Sequence, residues 1–289
     1  MALTTITKLK TALGISGSGE DTQLTQFLGQ ASWTIRAYVG MYLGGQITSA
    51  SVANPSVITC PGHGLETGDS IVIAHSGTTP TIDGARTVTR VDDDSFSVPV
   101  NVTGAGTAGL GTFARTYTEY YDGTGKRDFQ LRQRPVQSIA SLYLDPSAAY
   151  GEATDAFAAA TLLTAGTDYN LARDANPYPE KSRSGWVVKI GGVWPRPGEG
   201  VSGLLGSYPG SSNGSIKVTY TAGFVTIPAD LVLAVCQLVA EMRRTSSSGG
   251  VMQSESFYGY SYSLADASTQ VESLSSVKSI LNRYKPIAI

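Results

Sequence analysis

From residue 1 to residue 43 apolar side chains recur every three or four positions, the spacing of one helical face. Ile6, Leu9 and Leu13 predict a short helix that Thr4 or Thr5 caps and Gly14 ends. Asp21 or Thr22 then opens a longer helix, with Leu24, Phe27, Leu28, Ala31, Ile35, Tyr38 and Val39 on one face and Gly40 at its close. Trp33 and Arg36 fall near the edge of that stripe, and no chemistry is assigned to them. From Gln46 to Arg115 the period drops to two. Short alternating segments such as SVITC, DSIVIAH and DSFSVPV are separated by Gly, Pro, Asn and Asp, the texture of a small β domain. Gly44-Gly45 before it and GAGTAGLG at its end read as the hinges of an insertion.

Longer strands follow in TYTEYYDGTGKRDFQLRQRPVQSIASLYLD, where Asp122-Gly123 and Thr124-Gly125 predict a hairpin turn and Pro135 precedes a strand from Ser138 to Leu144. Residues 146–166 are alanine-rich, a short helix or a long loop. Tyr169 to Ala172 and Trp186 to Ile190 read as a second strand pair. Ile216, Val218 and Tyr220 then alternate with polar residues, Gly223 breaks the run, and a helix begins near Pro228 with Asp230 in its first turn. Leu231, Ala234, Val235, Leu238, Val239 and Met242 form its main stripe, but Val232, Leu233, Cys236 and Ala240 make much of the other side apolar too. Such a helix is either central to a large domain or turns a second face to another subunit. After Thr245 a Ser-, Gly- and Tyr-rich arm carries Phe257, Tyr258, Tyr260 and Tyr262, and Val271, Leu274, Val277, Leu281 and Tyr284 predict a last helix that Pro286 stops.

Composition narrows the choice of function. With 41% hydrophobic residues in 289, the chain has ample material for a packed core. Its 21 basic and 23 acidic residues, without a basic run, give counterion-release binding to DNA little to work with. The amino-terminal apolar stretch is interrupted by Lys8 and Lys10, and the longest apolar run, Leu231 to Ala240, is about half of what a membrane span needs. The expectation is a soluble protein, made in the cytoplasm, with no membrane partner. Cys60 and Cys236 are far apart and lack neighbouring ligands at metal-site spacing. His63 and His75 could join Asp69 or Asp83 around a metal, yet their separation fits turn and strand positions better; Asp92, Asp93 and Asp94 lack the glycine and closing glutamate of a calcium loop. GTGK at Gly123–Lys126 lacks the spacing and the following Ser or Thr of a phosphate loop. Glu119, Asp122 and the two histidines make no acid–base or nucleophile constellation. No catalytic, cofactor or metal residue is therefore assigned.

The order of the pieces carries more than any one of them. A helical hairpin, then TEYYDGTGKRDFQLRQRPVQSIASLYLD, the GG-WP-P segment at Gly191–Pro197, KVTYTAGF-IPADL-AV-LVAEM, a Tyr-Ser arm and a terminal helix resemble the head-to-tail connector, or adaptor, proteins of tailed bacteriophages. The resemblance covers about residues 1–43 and 116–289 and is most specific at Tyr120–Gly125, Arg134–Val136 and Val218–Leu231. HGLETGDSIVI, His63 to Ile73, is separately similar to small β modules of phage structural proteins, and an insertion at this place departs from the usual connector pattern.

The resemblance implies a non-catalytic ring, typically a dodecamer, in the virion neck. The ring would dock under the portal protein, contact the next neck or tail-completion protein, and pass double-stranded DNA through its channel without sequence-specific binding. The fold expected is α+β: a helical bundle core of about four helices with antiparallel β hairpins, plus an inserted small all-β domain. Residues 1–45 and 116–289 would form the core, 46–115 the insertion and 246–263 a flexible arm. Val232, Cys236, Phe257, Tyr258, Tyr260 and Tyr262 are the candidate subunit or portal interface. The alternative is a tail or baseplate module whose β insertion recognises a host-surface glycan or protein.

Overall fold

A computed structural model describes residues 2–40, 43–106, 111–144, 157–173, 182–195, 214–224, 226–247, 254–257, 260–263 and 275–285. The chain divides into two compact units: Met1–Asp69, Ile73–Phe113 and Val225–Ile289 form one, Ser70–Val72 and Ala114–Phe224 the other. The protein is mixed α+β, with four helices and several antiparallel sheets among the described residues.

The first unit contains all four helices: α1 (Ile6–Leu13), α2 (Asp21–Val39), α3 (Ala229–Ser247) and α4 (Ser275–Asn282). Thr5 caps α1 by accepting the Lys8 N–H, and Gly14 and Gly40 end α1 and α2 in the left-handed conformation that glycine adopts without a Cβ penalty. α3 packs against α1, α2 and α4. Glu20, at the start of α2, pairs with Arg243 near the end of α3 at 2.8 Å, so the two helices run antiparallel. At the opposite end Asp230 accepts from the Tyr284 hydroxyl and pairs with Arg283 at 3.1 Å, tying the chain after α4 to the start of α3. Val277, Leu281 and Tyr284 are buried as their spacing predicts, while Val271 and Leu274 lie outside the described residues.

The same unit holds the short strands β1 (Gly45–Gln46), β2 (Ser49–Ala50), β3 (Ser56–Thr59), β5 (Gly84–Thr87), β6 (Thr89–Arg90) and β7 (Ser95–Val98). β2, β3, β7 and β6 form an antiparallel sheet in that order. Ile58, Cys60, Leu65, Ile82, Phe96, Val98 and Phe113 are buried, and Phe96 meets Phe113 edge-on with centroids 5.7 Å apart. Strands β4 (Ser70–Ala74) and β8 (Thr112–Tyr121) each contribute residues to both units.

In the second unit β13 (Ile216–Ala222) lies between β8 and β10 (Val136–Leu144), antiparallel to both. β9 (Asp128–Gln130), β12 (Trp186–Lys189) and β11 (Tyr169–Leu171) form a separate sheet in the order β11-β12-β9. The strand pair expected near residues 169 and 186 is thus present. The hairpin expected across Asp122–Gly125 is corrected: the turn exists, but β9 pairs with β12 instead of β8. Its cause is the contact of this turn with Trp194. The Gly125 N–H donates to Trp194 O at 2.9 Å and the Trp194 N–H to Lys126 O at 2.8 Å, which draws the chain away from β8. Gly123 is required there by close approach, because a Cβ at this position would lie 1.6 Å from Pro195 O. Gly123→Ala is expected to cost about 1–3 kcal/mol of stability through overpacking, measured by urea denaturation. Of the alanine-rich stretch, residues 145–156 lie outside the described residues and Ala159–Thr161 form a single 3₁₀ turn.

The tyrosine-rich arm contributes β14 (Ser254–Phe257) and β15 (Tyr260–Ser263), paired antiparallel. No helix among the described residues is long and apolar enough to cross a membrane.

Candidate functional site

Side chains alternate along a strand, so Tyr117, Glu119 and Tyr121 of β8 share one face, with Tyr220 of β13 on the same side. Glu119 Oε2 accepts hydrogen bonds from the Tyr121 hydroxyl and, at 2.6 Å, from the Tyr220 hydroxyl. Its Oε1 lies 3.5 Å from Gln133 Nε2. The two phenolic oxygens in turn accept the backbone N–H groups of Arg132 at 2.9 Å and Gln133 at 3.0 Å. Burial, and next the bond to the Glu119 carboxylate, hold both phenols well above the usual tyrosine value, so they remain protonated donors at neutral pH. The Arg132 guanidinium carbon stands 4.6 Å from the Tyr121 ring centroid.

Chemically this cluster is a staple. Each phenol uses its proton on Glu119 and a lone pair on the 132–133 backbone, so the segment before Pro135 is pinned to the β8–β13 sheet. A nucleophile would need a base free to take its proton, and here the carboxylate is already engaged by donors that hold theirs. Asp122, the other carboxylate of this segment, accepts the Gly214 N–H at 2.6 Å.

An open cleft of about 290 Å³ lies at the turn after β8, lined by Tyr121, Asp122, Thr124, Lys126, Asp128, Phe129, Gln130 and Trp186. Thr124 Oγ1 accepts the Lys126 N–H and donates to Asp128 O, closing the GTGK turn on itself. Strand β9 follows where a phosphate loop would open a helix.

The two histidines occupy structural positions. His63 is buried, its Nδ1 accepts the Leu65 N–H at 2.9 Å, and Nε2 stands 2.9 Å from Asp92 O and 3.2 Å from Ser95 O. With Nδ1 accepting, Nε2 carries the proton and the ring links the turn at His63–Leu65 to that at Asp92–Ser95. Asp92 Oδ1 accepts the Asp94 N–H and Asp94 Oδ1 the Gly62 N–H, so these exposed carboxylates serve the turn itself. His75 follows β4 with φ 59°, beside the Ser76 N–H that Asp83 accepts. Among the described residues no group of three His, Cys, Asp or Glu could hold a metal ion. Burial pushes the Cys60 thiol up to about 12 and raises that of Cys236, leaving both protonated.

The candidate interface residues fall in different settings. Cys236 is buried within the subunit at 6% exposure and Val232 is half-buried, because α3 touches three other helices and its buried arc is correspondingly wide. The large apolar residue that α3 does present is Leu233, 50% exposed, with Ala229 and Ala240 beside it on the exposed arc. Phe257 lies in β14 and Tyr260 and Tyr262 in β15; Tyr258 lies outside the described residues.

Trp33, expected at the margin of the α2 stripe, is 67% exposed. Buried Leu24, Leu28, Ala31 and Ile35 centre on the opposite side of the helix, about half a turn from it. That angle is readable from the spacing, so it is the signal that points to Trp33. In the antiparallel α2–α3 pair, Trp33 and Leu233 stand at similar levels along the helices.

No family model matches the chain, and no curated protein does. Among solved structures, a chain from the virion of a native gene transfer agent (GTA) particle matches with 15% identity and a TM-score of 0.30, over 61% of this chain and 67% of that one. The likeness is to a virion, and it is weak.

Proposed function

We propose that the chain is a structural subunit of a phage-like virion: a head-to-tail connector that forms a ring, typically dodecameric in the family it resembles, below the portal. In this reading α1–α4 supply the helical core of each subunit, the ring continues the DNA channel without sequence-specific contacts, and no reaction is catalysed. The supporting observation is the Glu119 staple. It joins the end of β8, the two residues before Arg134, and β13, in or next to the segments where the resemblance is most specific, through side chains whose hydrogen-bonding capacity is spent on structure.

Exposed Trp33 and Leu233 are the apolar residues this reading offers to a neighbouring subunit. The insertion fits the glycan-binding alternative poorly. Phe96 and Phe113 are the aromatic Phe, Tyr or Trp residues within 46–115, and both are fully buried, which leaves no aromatic platform for a sugar.

Native mass spectrometry and negative-stain imaging of the protein with its portal test the reading. A closed ring is expected, and Leu233→Asp or Trp33→Ala should weaken ring formation at least tenfold while leaving Tm within about 2 °C of the parent. A subunit that stays monomeric and never engages the portal would overturn it.

A further inference from the structure

The open cleft after β8, about 290 Å³ in volume, shares Tyr121 with the Glu119 staple and is otherwise distinct from it. Strand alternation builds one of its walls. Phe129 of β9 and Val187 of β12 are paired and buried, so Gln130 and its partner Trp186 stand on the other face of the sheet, with Asp128 two residues along β9. These three side chains are half-buried. Phe129 and Tyr121, which also line the cleft, are held in place. The Phe129 ring meets Trp194 edge-on at 4.9 Å and lies 5.1 Å from the ring of Tyr121.

The polar groups around the cleft divide into those already used and those open to a ligand. The Tyr121 hydroxyl donates to Glu119, and Thr124 Oγ1 both accepts and donates within its own turn. Asp122 gives one oxygen to the Gly214 N–H. The Gln130 amide donates to Ser184 O at 2.7 Å, which fixes its orientation and leaves Oε1 as an acceptor. There remain the Lys126 ammonium, the Asp128 carboxylate, the second oxygen of Asp122 and that amide oxygen, beside the indole of Trp186. An anion entering so small a cleft would meet two carboxylates, and a cation would meet an ammonium. A neutral ligand rich in hydroxyls avoids both, because each hydroxyl donates as well as accepts and so uses Lys126 and Asp128 together.

We propose that this cleft binds a neutral hexose unit of a glycan, with one face of the sugar ring stacked on Trp186 and adjacent hydroxyls shared among Asp128, Gln130 and Lys126. The C–H groups on a sugar face are slightly positive and suit the negative face of an indole. The volume is at the small end of ligand pockets and suits a single ring, while the open mouth lets the rest of a glycan continue into solvent. The site lies outside residues 46–115, where buried Phe96 and Phe113 offer no such platform, and it does not depend on ring formation.

Maltotriose, cellotriose and mannotriose are the neutral probes, titrated into the full chain by calorimetry and followed by tryptophan fluorescence. Trigalacturonate and fully deacetylated chitotriose are their anionic and cationic counterparts. Saturable binding of a neutral trisaccharide is expected, at least about tenfold tighter than that of either charged one. Trp186→Ala and Asp128→Asn should each weaken it by about tenfold or more. Asp128→Asn keeps the shape of a half-buried side chain, so its effect is readable even where Trp186→Ala does not fold. No binding of any neutral probe, or unchanged affinity in either variant, would overturn the site. Equal or tighter binding of a charged probe would overturn the assignment to a neutral sugar.

Discussion

Val235→Asp is expected to abolish folding of the helical unit, whereas Leu233→Asp, two residues away, should leave it intact. Val235 is fully buried on the face of α3 that meets the other helices. A carboxylate there must lose its hydration or take up a proton, and either route costs at least about 4 kcal/mol, a large part of the stability of a typical domain. Leu233 is half-exposed, so a carboxylate in its place keeps contact with water and the change should stay within about 0.5 kcal/mol. Cys236→Asp belongs with Val235, because its side chain is buried in the subunit. Circular dichroism at 222 nm and urea unfolding of the three variants distinguish them. Equal losses for Leu233→Asp and Val235→Asp would mean that the α3 surface assigned to solvent is covered in the isolated chain.

That contrast marks how far the pattern of the chain could be read. Periodicity located α1, α2, α3 and α4, the alternating short strands between residues 46 and 115, and the β11–β12 pair, since each depends on local spacing and on caps such as Thr5, Gly14 and Gly40. It also showed that α3 carries more apolar surface than one face needs. It could not say what covers that surface. α3 meets three helices, two of them about 200 residues earlier in the chain, and a wheel plot does not encode which neighbours arrive. The β8–β9 hairpin failed for a similar reason: the local turn residues were right, but Trp194, about seventy positions later, competes for the backbone groups of the turn.

The Glu119 staple was invisible for the same cause. In the sequence Glu119 stands with Asp122 and the two histidines in no recognisable constellation, and its partner Tyr220 is 101 residues away. Only the antiparallel β8–β13 pairing brings them together, with Tyr117 opposite Tyr220 and Glu119 two residues on. The resemblance named these segments without saying why Tyr and Glu should stand there. Their geometry supplies a reason: the cluster fixes the backbone of Arg132 and Gln133 to the β8–β13 pair. Burial of polar groups on this scale is tolerated because each phenol both donates and accepts.

The staple makes stability fall steeply at high pH. Tyr121 and Tyr220 have folded-state values raised above those of an unfolded tyrosine, near 10. Below pH 10 both states hold these protons and the contribution is complete. Above it the unfolded chain releases them while the folded chain keeps them, so fewer protons are bound in the unfolded state and stability declines until the folded values are reached. Each phenol contributes a slope of about 1.4 kcal/mol per pH unit, and the pair about 2.7. The Cys60 thiol, pushed up to about 12 by burial, works in the same direction from its unfolded value near 9 upward. Urea unfolding between pH 9 and 11.5 should therefore show accelerating loss, and absorbance at 295 nm should show two of the 15 tyrosines ionising only as the protein unfolds. Tyr220→Phe removes one phenol, so it should be less stable at pH 8, where the Gln133 N–H loses its acceptor, yet lose stability less steeply above pH 10. A variant with the same alkaline slope as the parent would show that Tyr220 ionises normally in the folded chain, and the staple would then have to be withdrawn.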